Sequence, residues 1–430
     1  MRKTSGLAVA VLLVVASGCY GLRVTVEPAP RTPYRVTSKL DIIGDDLDVE
    51  GLVKAARASL DYYAGAESGR RRFSLGYDTY KFPQLKRSVE HFLTILHETP
   101  RARLHQRIAE ECRAYVPRKV SRFTAYYEPV LRGSKTPDER YRYPVYYKPD
   151  ELTLVQLSRF FPEDERKFHG KVKGGELVPY LSREEIDGSG LLREKGLELA
   201  WVDDPVDLYF LHIQGSGRLK LESGEILRVN FAASNGMSYV SVGRYMLDNH
   251  ILGPSQGSSS AIKAYLSANP SSRNAILFKN PRYIFFREVQ LDPSQGPLGA
   301  LGVPLVSGRS IATDQRYVPP GVLTYIMSDK PLLNEQGYVD GWQHFARFAF
   351  NHDAGAAIKG PSRADIYWGE GHEAGMAAGY MNRPGRMVVL MCGVRPDSLR
   401  ALRQASVNAF TQVSWPYFSA PDAGALASSS

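Results

Sequence analysis

The order of apolar and polar positions divides the chain into a helical first third and a β-rich remainder. Between about residues 52 and 116, apolar residues recur at the spacing that places them on one face of a helix. The clearest stripe consists of Val89, Phe92, Leu93 and Leu96. Two further helices are predicted at 52–63 and 104–115. These helices are expected to pack against the rest of the fold, and no chemistry is assigned to them.

After Pro117 the period changes to that of β-strands. Residues 121–134 alternate in polarity, and 283–286 form a short apolar run typical of a buried strand. A loop rich in glycine and proline follows at 293–304, and strand character resumes at 310–321. Many short strands separated by turn residues favour β-barrels. The chain is therefore predicted to be mainly β with N-terminal helices.

The segment around Ser216 allows three interpretations. The run 209–214 is predicted to be a strand, and the glycines on either side of Ser216 predict a tight turn. As a hydrolase nucleophile, Ser216 lacks the GxSxG elbow, and as a phosphate loop the segment lacks the GK[ST] ending. A turn that presents the Gln214 amide and backbone donors to a saccharide fits best. A short helix is predicted further on, at 261–268.

The stretch 351–386 carries the strongest candidate chemistry. It is predicted to contain a strand at 356–359 and a second one at 364–368, in which Asp365 and Tyr367 share one face. Glycines follow the second strand directly and leave room for a large ligand to approach the backbone. Spacing alone favours a simpler interpretation, in which Asp353 caps a turn and Asp365 is a solvated residue.

Several blocks of sequence resemble one enzyme family. HDAGAAIKGPSRADIYWGEGHEAGMAAGYM (352–381) closely resembles the three-aspartate domain of the membrane-bound lytic murein transglycosylase A family. FTAYYEP (123–129), QGSGR (214–218) and NGMSY (235–239) are similar to further blocks of that family, with Ala125 in place of a glycine. The third aspartate of the domain has no clear counterpart, because Glu370 stands in that region.

The resemblance implies a fold. The expected architecture is a double-psi β-barrel built from 19–125, with its helices, and from 282–415. A second β-barrel domain, 126–281, would be inserted in it, with a cleft between the two. Residues 416–430, which are small and polar, are expected to be a disordered tail.

The resemblance also implies a function. A lytic transglycosylase cleaves the β-1,4 bond between N-acetylmuramic acid and N-acetylglucosamine in peptidoglycan and leaves a 1,6-anhydro product. In this family the D-I-Y aspartate, Asp365 here, is the catalytic acid and then the base, and Asp353 is expected to assist it. An acid of this kind needs a pKa raised by apolar surroundings, which Ile366, Tyr367 and Trp368 are expected to supply. The expected substrate contacts are Thr124, Tyr126, Tyr127, Glu128, Gln214, Gly215, Ser216, Gly217, Lys359, Tyr367 and Trp368.

Other functional classes stay open from the sequence. The main alternative is a non-catalytic peptidoglycan-binding envelope lipoprotein with an expansin-like barrel. A structural envelope lipoprotein and a hydrolase that releases reducing ends are further alternatives. The tyrosines of 123–129 are also compatible with ordinary half-buried sheet residues. Analysis of the products released from cell walls would separate these classes.

The N-terminus predicts an export signal. Met1–Lys3 is basic, 7–15 is apolar but too short to span a bilayer, and Ala16-Ser17-Gly18 precedes Cys19. Small residues before a cysteine resemble a bacterial lipoprotein site, although an ordinary signal peptide is an alternative. We expect a signal peptide at 1–18, lipid on Cys19, and an outer-membrane lipoprotein facing the periplasm of a Gram-negative bacterium.

Composition narrows the remaining possibilities. The 430 residues are 43% hydrophobic and 23% charged, which is enough for a large core and about two domains. Cys112 and Cys392 form either a disulfide or two separate buried thiols. There is no HExxH, CxxC or nucleotide motif, so no metal or other cofactor is predicted. The net charge of +9 is scattered without a nucleic-acid-binding signature, and it suits an anionic cell wall or membrane surface. The expected partners are glycan strands, the membrane and other cell-wall enzymes.

Overall fold

The computed structural model describes residues 32–37, 40, 42–65, 71–161, 166–254 and 256–398. The predicted signal peptide, Cys19 and the predicted tail lie outside these residues. Within the described part of the chain, no helix is both long enough and apolar enough to cross a membrane.

Three α-helices and four strands lie between residues 34 and 117, and sixteen strands and five α-helices follow in the described part of the chain. The helices are α1 (Val49–Gly65), α2 (Phe82–Glu98), α3 (Leu104–Glu111), α4 (Pro205–Gln214), α5 (Val242–Asp248), α6 (Ser259–Ala268), α7 (Pro270–Leu277) and α8 (Gly371–Tyr380). The strands are β1 (Tyr34–Thr37), β2 (Arg72–Leu75), β3 (Asp78–Lys81), β4 (Cys112–Pro117), β5 (Ser121–Glu128), β6 (Val130–Ser134), β7 (Tyr143–Tyr146), β8 (Thr153–Gln156), β9 (Lys167–Lys173), β10 (Glu176–Val178), β11 (Glu198–Val202), β12 (Ser216–Leu221), β13 (Ile226–Ser234), β14 (Ile284–Glu288), β15 (Ser310–Thr313), β16 (Leu323–Leu333), β17 (Val339–Asp353), β18 (Arg363–Glu370), β19 (Asn382–Cys392) and β20 (Asp397–Ser398).

Six strands form a closed first barrel in the order β19-β16-β17-β15-β18-β5, because β5 also pairs with β19. Two of the contacts, β15 with β17 and β18 with β5, are parallel, and the others are antiparallel. Alternate residues such as Ala364 and Ile366 are buried in the core of this barrel. Their neighbour Asp365 therefore points outward, because successive side chains of a strand face opposite sides.

The N-terminal helices cover one side of this barrel. Phe92 of α2 packs against Phe348 and Phe350, with ring centroids 5.6 and 6.2 Å apart. Helix α3 ends at Glu111, four residues before the predicted end of that helix, because Cys112–Pro117 forms β4. The same strand supplies Cys112, which is disulfide-bonded to Cys392 on β19. The disulfide answers the question that the sequence left open.

A second six-stranded sheet has the order β14-β13-β12-β6-β11-β7. An isolated bridge between Tyr147 and Phe286 connects its two ends, and a separate apolar core lies inside it. This sheet and the helices α4–α7 are called the second barrel below. Strand β14 belongs to this sheet through its pairing with β13. We therefore propose that the inserted domain extends to Glu288, beyond the boundary at 281 that the sequence suggested.

Two predicted strands are wrong. Residues 209–214 belong to α4, which Asp204 caps by accepting hydrogen bonds from two backbone N–H groups and which begins with Pro205. The helix is buried on most sides, so no amphipathic period marks it. The predicted strand at 356–359 is a turn between β17 and β18, in which the Ile358 N–H donates to the carbonyl of Gly355.

Candidate active site

The register of four neighbouring strands brings the two aspartates together. Ala312 of β15 pairs with Asp353 of β17 on one side and with Asp365 of β18 on the other. Asp365 in turn lies opposite Thr124 of β5. Since adjacent strands are about 4.8 Å apart, the two aspartate backbones are roughly 10 Å apart across Ala312. A row of polar side chains results on the outer face of the first barrel.

Asp365 is only partly solvated and has weak ionic support. Its side chain is 23% exposed, and its Oδ1 accepts a hydrogen bond from the Thr124 hydroxyl. Arg363 donates to the Thr124 Oγ1 at 3.2 Å and lies 3.7 Å from the Asp365 carboxylate. Burial raises the pKa of Asp365 to about 6, the charge of Arg363 lowers it, and the nearby Asp353 raises it. The carboxyl group is therefore available as an acid close to neutral pH.

Asp353 is held by three hydrogen-bond donors. Its Oδ2 accepts from the Tyr126 hydroxyl at 2.8 Å, and its Oδ1 accepts from the backbone N–H groups of Ala300 and Ala354, both at 2.8 Å. Burial raises the pKa of Asp353, and these donors lower it in part. The Ala300 donor comes from the glycine-rich loop. Gly299 allows this close approach, since a Cβ there would lie 2.6 Å from a backbone oxygen.

Aromatic residues from both barrels surround the aspartates. Tyr126 and Tyr367 are paired across β5 and β18, with ring centroids 5.5 Å apart. Tyr239 lies between β13 and α5 of the second barrel. Burial raises the pKa of Tyr239, a hydrogen bond with Ser241 lowers it, and the charge of Asp365 raises it. Tyr239 is thus within electrostatic reach of Asp365, and the site lies where the second barrel meets the first.

Two of the predicted aromatic contacts lie elsewhere. Trp368 alternates with Tyr367 and packs against the core of the first barrel, beside Phe345 and Arg347. Tyr127 is buried, and its ring packs so tightly on Gly375 that a Cβ there would lie 2.7 Å from it. Neither side chain joins the aspartates. Tyr126, which is partly exposed and bonded to Asp353, is the aromatic residue of this face, and the buried Tyr367 packs beside it.

The Glu128 side chain forms ion pairs inside the protein and is not free to bind a sugar. Its side chain is 1% exposed, and Arg218 and Arg228 of the second barrel donate to it at 2.9 and 3.1 Å. Arg218 also pairs with Glu370. Glu370 is the residue that stands in the region of the family's third aspartate. These pairs join the end of β5 and β18 to the second barrel, so they fix the position of the site.

The predicted glycine turn also makes structural contacts. The Gln214 Oε1 accepts from the Tyr127 N–H at 3.1 Å, and Gly215 ends α4 with a φ of +79°. Ser216 and Gly217 lie at the buried start of β12, where a Cβ on Gly217 would be 2.4 Å from Leu211. This segment attaches α4 to β5. Lys359 is exposed on the turn before β18 and has no hydrogen bond or ion pair to another described residue.

Three groups near the aspartates were not predicted from the sequence. They are Arg363, Tyr239 and the Ala300 backbone N–H. Arg363 shares the outward face with Asp365 two residues later, so the strand period was a signal for it. Tyr239 lies in a recognised block but is far away in the chain. In the described part of the chain, no three His, Cys, Asp or Glu side chains are arranged to hold a metal ion.

Comparison with known proteins assigns the chain to a family. Residues 122–287 match the MltA specific insert domain, and 309–391 match the 3D domain. Membrane-bound lytic murein transglycosylase A of Escherichia coli K12 is 32% identical over 270 residues, which cover 62% of this chain and 65% of that protein. The chain thus spans somewhat less than two thirds of that relative.

Solved structures extend the likeness to most of the fold. The membrane-bound lytic murein transglycosylase of Agrobacterium tumefaciens is 30% identical, with a TM-score of 0.67 over 83% of this chain and 95% of that one. The structure of E. coli MltA with bound chitohexaose is 24% identical, with a TM-score of 0.63 over 84% of this chain and 95% of that one. The chain belongs to the membrane-bound lytic murein transglycosylase A family.

Proposed function

We propose that this chain is a lytic transglycosylase of the bacterial cell wall. It would cleave the β-1,4 bond between N-acetylmuramic acid and N-acetylglucosamine in peptidoglycan and form 1,6-anhydro-N-acetylmuramic acid. The proposal rests on the surroundings of the Asp365 carboxyl group. Its pKa is raised to about 6, and its side chain is partly exposed beside a second aspartate and Tyr239.

A single carboxyl group is sufficient for such a reaction. The protonated Asp365 gives its proton to the glycosidic oxygen while the bond from C1 to that oxygen breaks. The C6 hydroxyl of the same muramyl residue then bonds to C1 and loses its proton to the Asp365 carboxylate, which regenerates the acid. No water is consumed. Because the nucleophile is within the substrate, its effective concentration is high.

The neighbours of Asp365 support both halves of this cycle. The Thr124 hydroxyl and the Arg363 guanidinium stabilise the carboxylate that exists between the two proton transfers. Asp353 cannot turn freely, because three donors hold it. Its negative charge would stabilise the positive charge that develops at C1 in the transition state. The ring of Tyr126, which is partly exposed, is suited to the apolar face of a pyranose ring.

Family membership supports the substrate class. The related E. coli MltA has been crystallised with chitohexaose, a chain of β-1,4-linked sugars, and the chain studied here has the same overall fold. We propose that glycan strands bind between the two barrels. We further propose that the first barrel has the double-psi topology of the family and that Cys19 anchors the protein to the outer membrane on its periplasmic side.

Asp365→Asn tests the proposal. Purified peptidoglycan sacculi are incubated with the wild-type protein and the variant, and the released muropeptides are analysed by mass spectrometry. The wild type should release products that lack one water relative to hydrolysed ends. The variant should release them about 10²- to 10⁴-fold more slowly, with unchanged circular dichroism. Asp340→Asn, at an exposed position near the start of β17, is the matched control and should retain activity.

Each other result points to a different function. Products that retain the water would identify a hydrolase. Binding to sacculi without any product from the wild type would support the non-catalytic wall-binding alternative. Near-normal turnover by the Asp365→Asn variant would show that another group is the acid.

A further inference from the structure

The second barrel contains a cavity that the proposed mechanism does not use. Its volume is about 250 Å³, and it lies between β7, the start of α4 and the end of α7. The charged residues that line it are Arg142, Arg183, Asp187 and Arg193. Three arginines against one aspartate leave an excess of positive charge at this position.

Two of the three arginine side chains have no ionic partner among the described residues. Arg142 and Arg193 are exposed at the cavity, and neither side chain forms a hydrogen bond or an ion pair with any described residue. Arg183 is 2% exposed and forms the floor, where it neutralises Asp187 at 3.4 Å. Two guanidinium groups are therefore free to bind a ligand.

The floor of the cavity is rigid. Arg183 donates to His212 Nδ1 at 2.9 Å and to the carbonyl oxygen of Asn280 at 3.2 Å. Its guanidinium lies 4.8 Å from the ring centroid of Tyr209 and 5.1 Å from that of Tyr283. A buried arginine with these contacts loses little further freedom when a ligand binds above it, which favours binding.

The cavity is also connected to the site that contains Asp365. The Asn280 side chain donates to the Tyr209 hydroxyl at 3.3 Å and accepts from the Val240 N–H at 3.1 Å. Val240 follows Tyr239, which lies within electrostatic reach of Asp365. The segment that forms one wall of the site is thus bonded to the same asparagine as the cavity floor.

We propose that this cavity binds a carboxylate of the peptide that the glycan substrate carries. The identity of the ligand rests on the proposed function, since peptidoglycan strands bear short peptides with free carboxylates. Guanidinium groups suit this ligand because their planar fork matches a carboxylate with two parallel hydrogen bonds. The uncompensated pair Arg142 and Arg193 supplies these bonds, and Arg183 contributes the positive floor.

The dimensions are compatible with this ligand. Helix α4 begins at the cavity and ends at Gln214, which bonds to β5 beside Tyr126. Its ten residues span about 15 Å. An extended peptide of four residues spans about 13–14 Å. A four-residue peptide attached to a sugar near Asp365 is therefore about as long as the distance between the cavity and the end of α4 beside β5.

Calorimetry with a free peptide tests the inference. The probe is alanyl-glutamyl-lysyl-alanine, compared with the same peptide amidated at both carboxylates and with inorganic phosphate. Titrations use the Asp365→Asn protein, so that catalysis does not enter. The double variant Arg142→Gln/Arg193→Gln should weaken peptide binding at least about tenfold, and amidation of the peptide should have a similar effect. Arg244→Gln, which removes an exposed arginine of the same domain, is the matched control and should bind as the parent does.

Three results would overturn the inference. They are failure of the parent to bind the peptide, equal binding by the double variant, and equal binding of the amidated peptide. Phosphate that binds as tightly as the peptide and displaces it would reduce the cavity to a general anion site, which also contradicts a peptide site. Loss of anhydro products with peptide binding intact would count against the proposed function alone.

Discussion

Two carboxylates on adjoining parts of the first barrel have opposite surroundings. Asp365 lies opposite Thr124 on the β18–β5 ladder, and Glu128 lies four residues further along β5, opposite Glu370. Both are shielded from bulk water to a large extent, with side-chain exposures of 23% and 1%. Glu128 has two arginines within 3.1 Å, whereas Asp365 has a hydroxyl and one guanidinium at 3.7 Å.

The difference is in the neutralisation of charge and not only in burial. The Glu128 carboxylate, which is paired with two arginines of the second barrel, serves to hold the barrels together. A partly buried carboxylate with weak ionic support keeps a raised pKa and can exchange its proton. The more buried of the two is therefore the structural one, and the more accessible one is the candidate acid.

The largest expected effect is on stability at Glu128. Glu128→Gln removes the negative charge from between Arg218 and Arg228. It leaves the buried Arg228 without an ionic partner and Arg218 with the half-exposed Glu370 alone. We expect a loss of about 3–5 kcal/mol in the free energy of unfolding, measured by urea denaturation. Glu225→Gln, an exposed change in the second barrel, which supplies Arg218 and Arg228, should remain within about 0.5 kcal/mol. A loss below about 1 kcal/mol for Glu128→Gln would mean that the ion pairs do not hold the joint.

The next effect concerns the second aspartate. Asp353→Asn keeps the shape of the side chain but removes its charge and places an NH₂ group opposite one set of donors. We expect kcat on sacculi to fall about 10- to 100-fold, which corresponds to about 1.4–2.8 kcal/mol of transition-state stabilisation. Unchanged kcat would show that Asp353 only shapes the backbone. A loss as large as that of Asp365→Asn would mean that the two residues act as one unit.

The sequence predicts which side chains share a face of one strand, but it does not predict contacts between residues far apart in the chain. The period of 364–368 predicted that Asp365 and Tyr367 share a face, and the structure confirms it, because this is a local property of a strand. The partners of Glu128 could not be predicted, since Arg218 and Arg228 lie 90 and 100 residues further along the chain. The position of Asp353 opposite Ala312 depends on strand register in the same way.

The errors in the sequence analysis have a common physical origin. Residues 209–214 were predicted as a strand because a helix buried on most sides shows no amphipathic period. The start signal was nevertheless present, since Asp204 and Pro205 are typical of an N-cap and a first helical position. Trp368 is close to Asp365 in sequence, but strand alternation turns its side chain toward the core of the first barrel.

Asp365→Asn is expected to increase the free energy of unfolding, by less than Glu128→Gln decreases it. The pKa of Asp365 rises from 3.8 to about 6 on folding, so between these pH values the folded state binds more protons than the unfolded state. Stability therefore falls as the pH rises from about 4 to about 6, by at most about 3 kcal/mol, and then stays level. The Asp365→Asn side chain does not ionise, so the variant does not lose this stability as the pH rises. Thermal unfolding should find the variant about 1–3 kcal/mol more stable than the wild type at pH 8 and no more stable at pH 4, where a gain of equal size would contradict the raised pKa.

The smallest effect tests Arg363, the one cation within 4 Å of the Asp365 carboxylate among the residues that the structure describes. Only the protonated form of Asp365 can begin the reaction, so kcat/KM should decrease as the pH rises through about 6. Arg363 lowers the pKa of Asp365, and Arg363→Gln should therefore move this decrease to higher pH by about half a pH unit to one pH unit. Arg122→Gln is the matched control, because Arg122 donates to Asn382 instead of Thr124 and its loss should leave the profile in place. If the profile of Arg363→Gln does not move, or moves to lower pH, the group that titrates is not the carboxyl group beside Arg363, and Asp365 loses its distinction from Glu128.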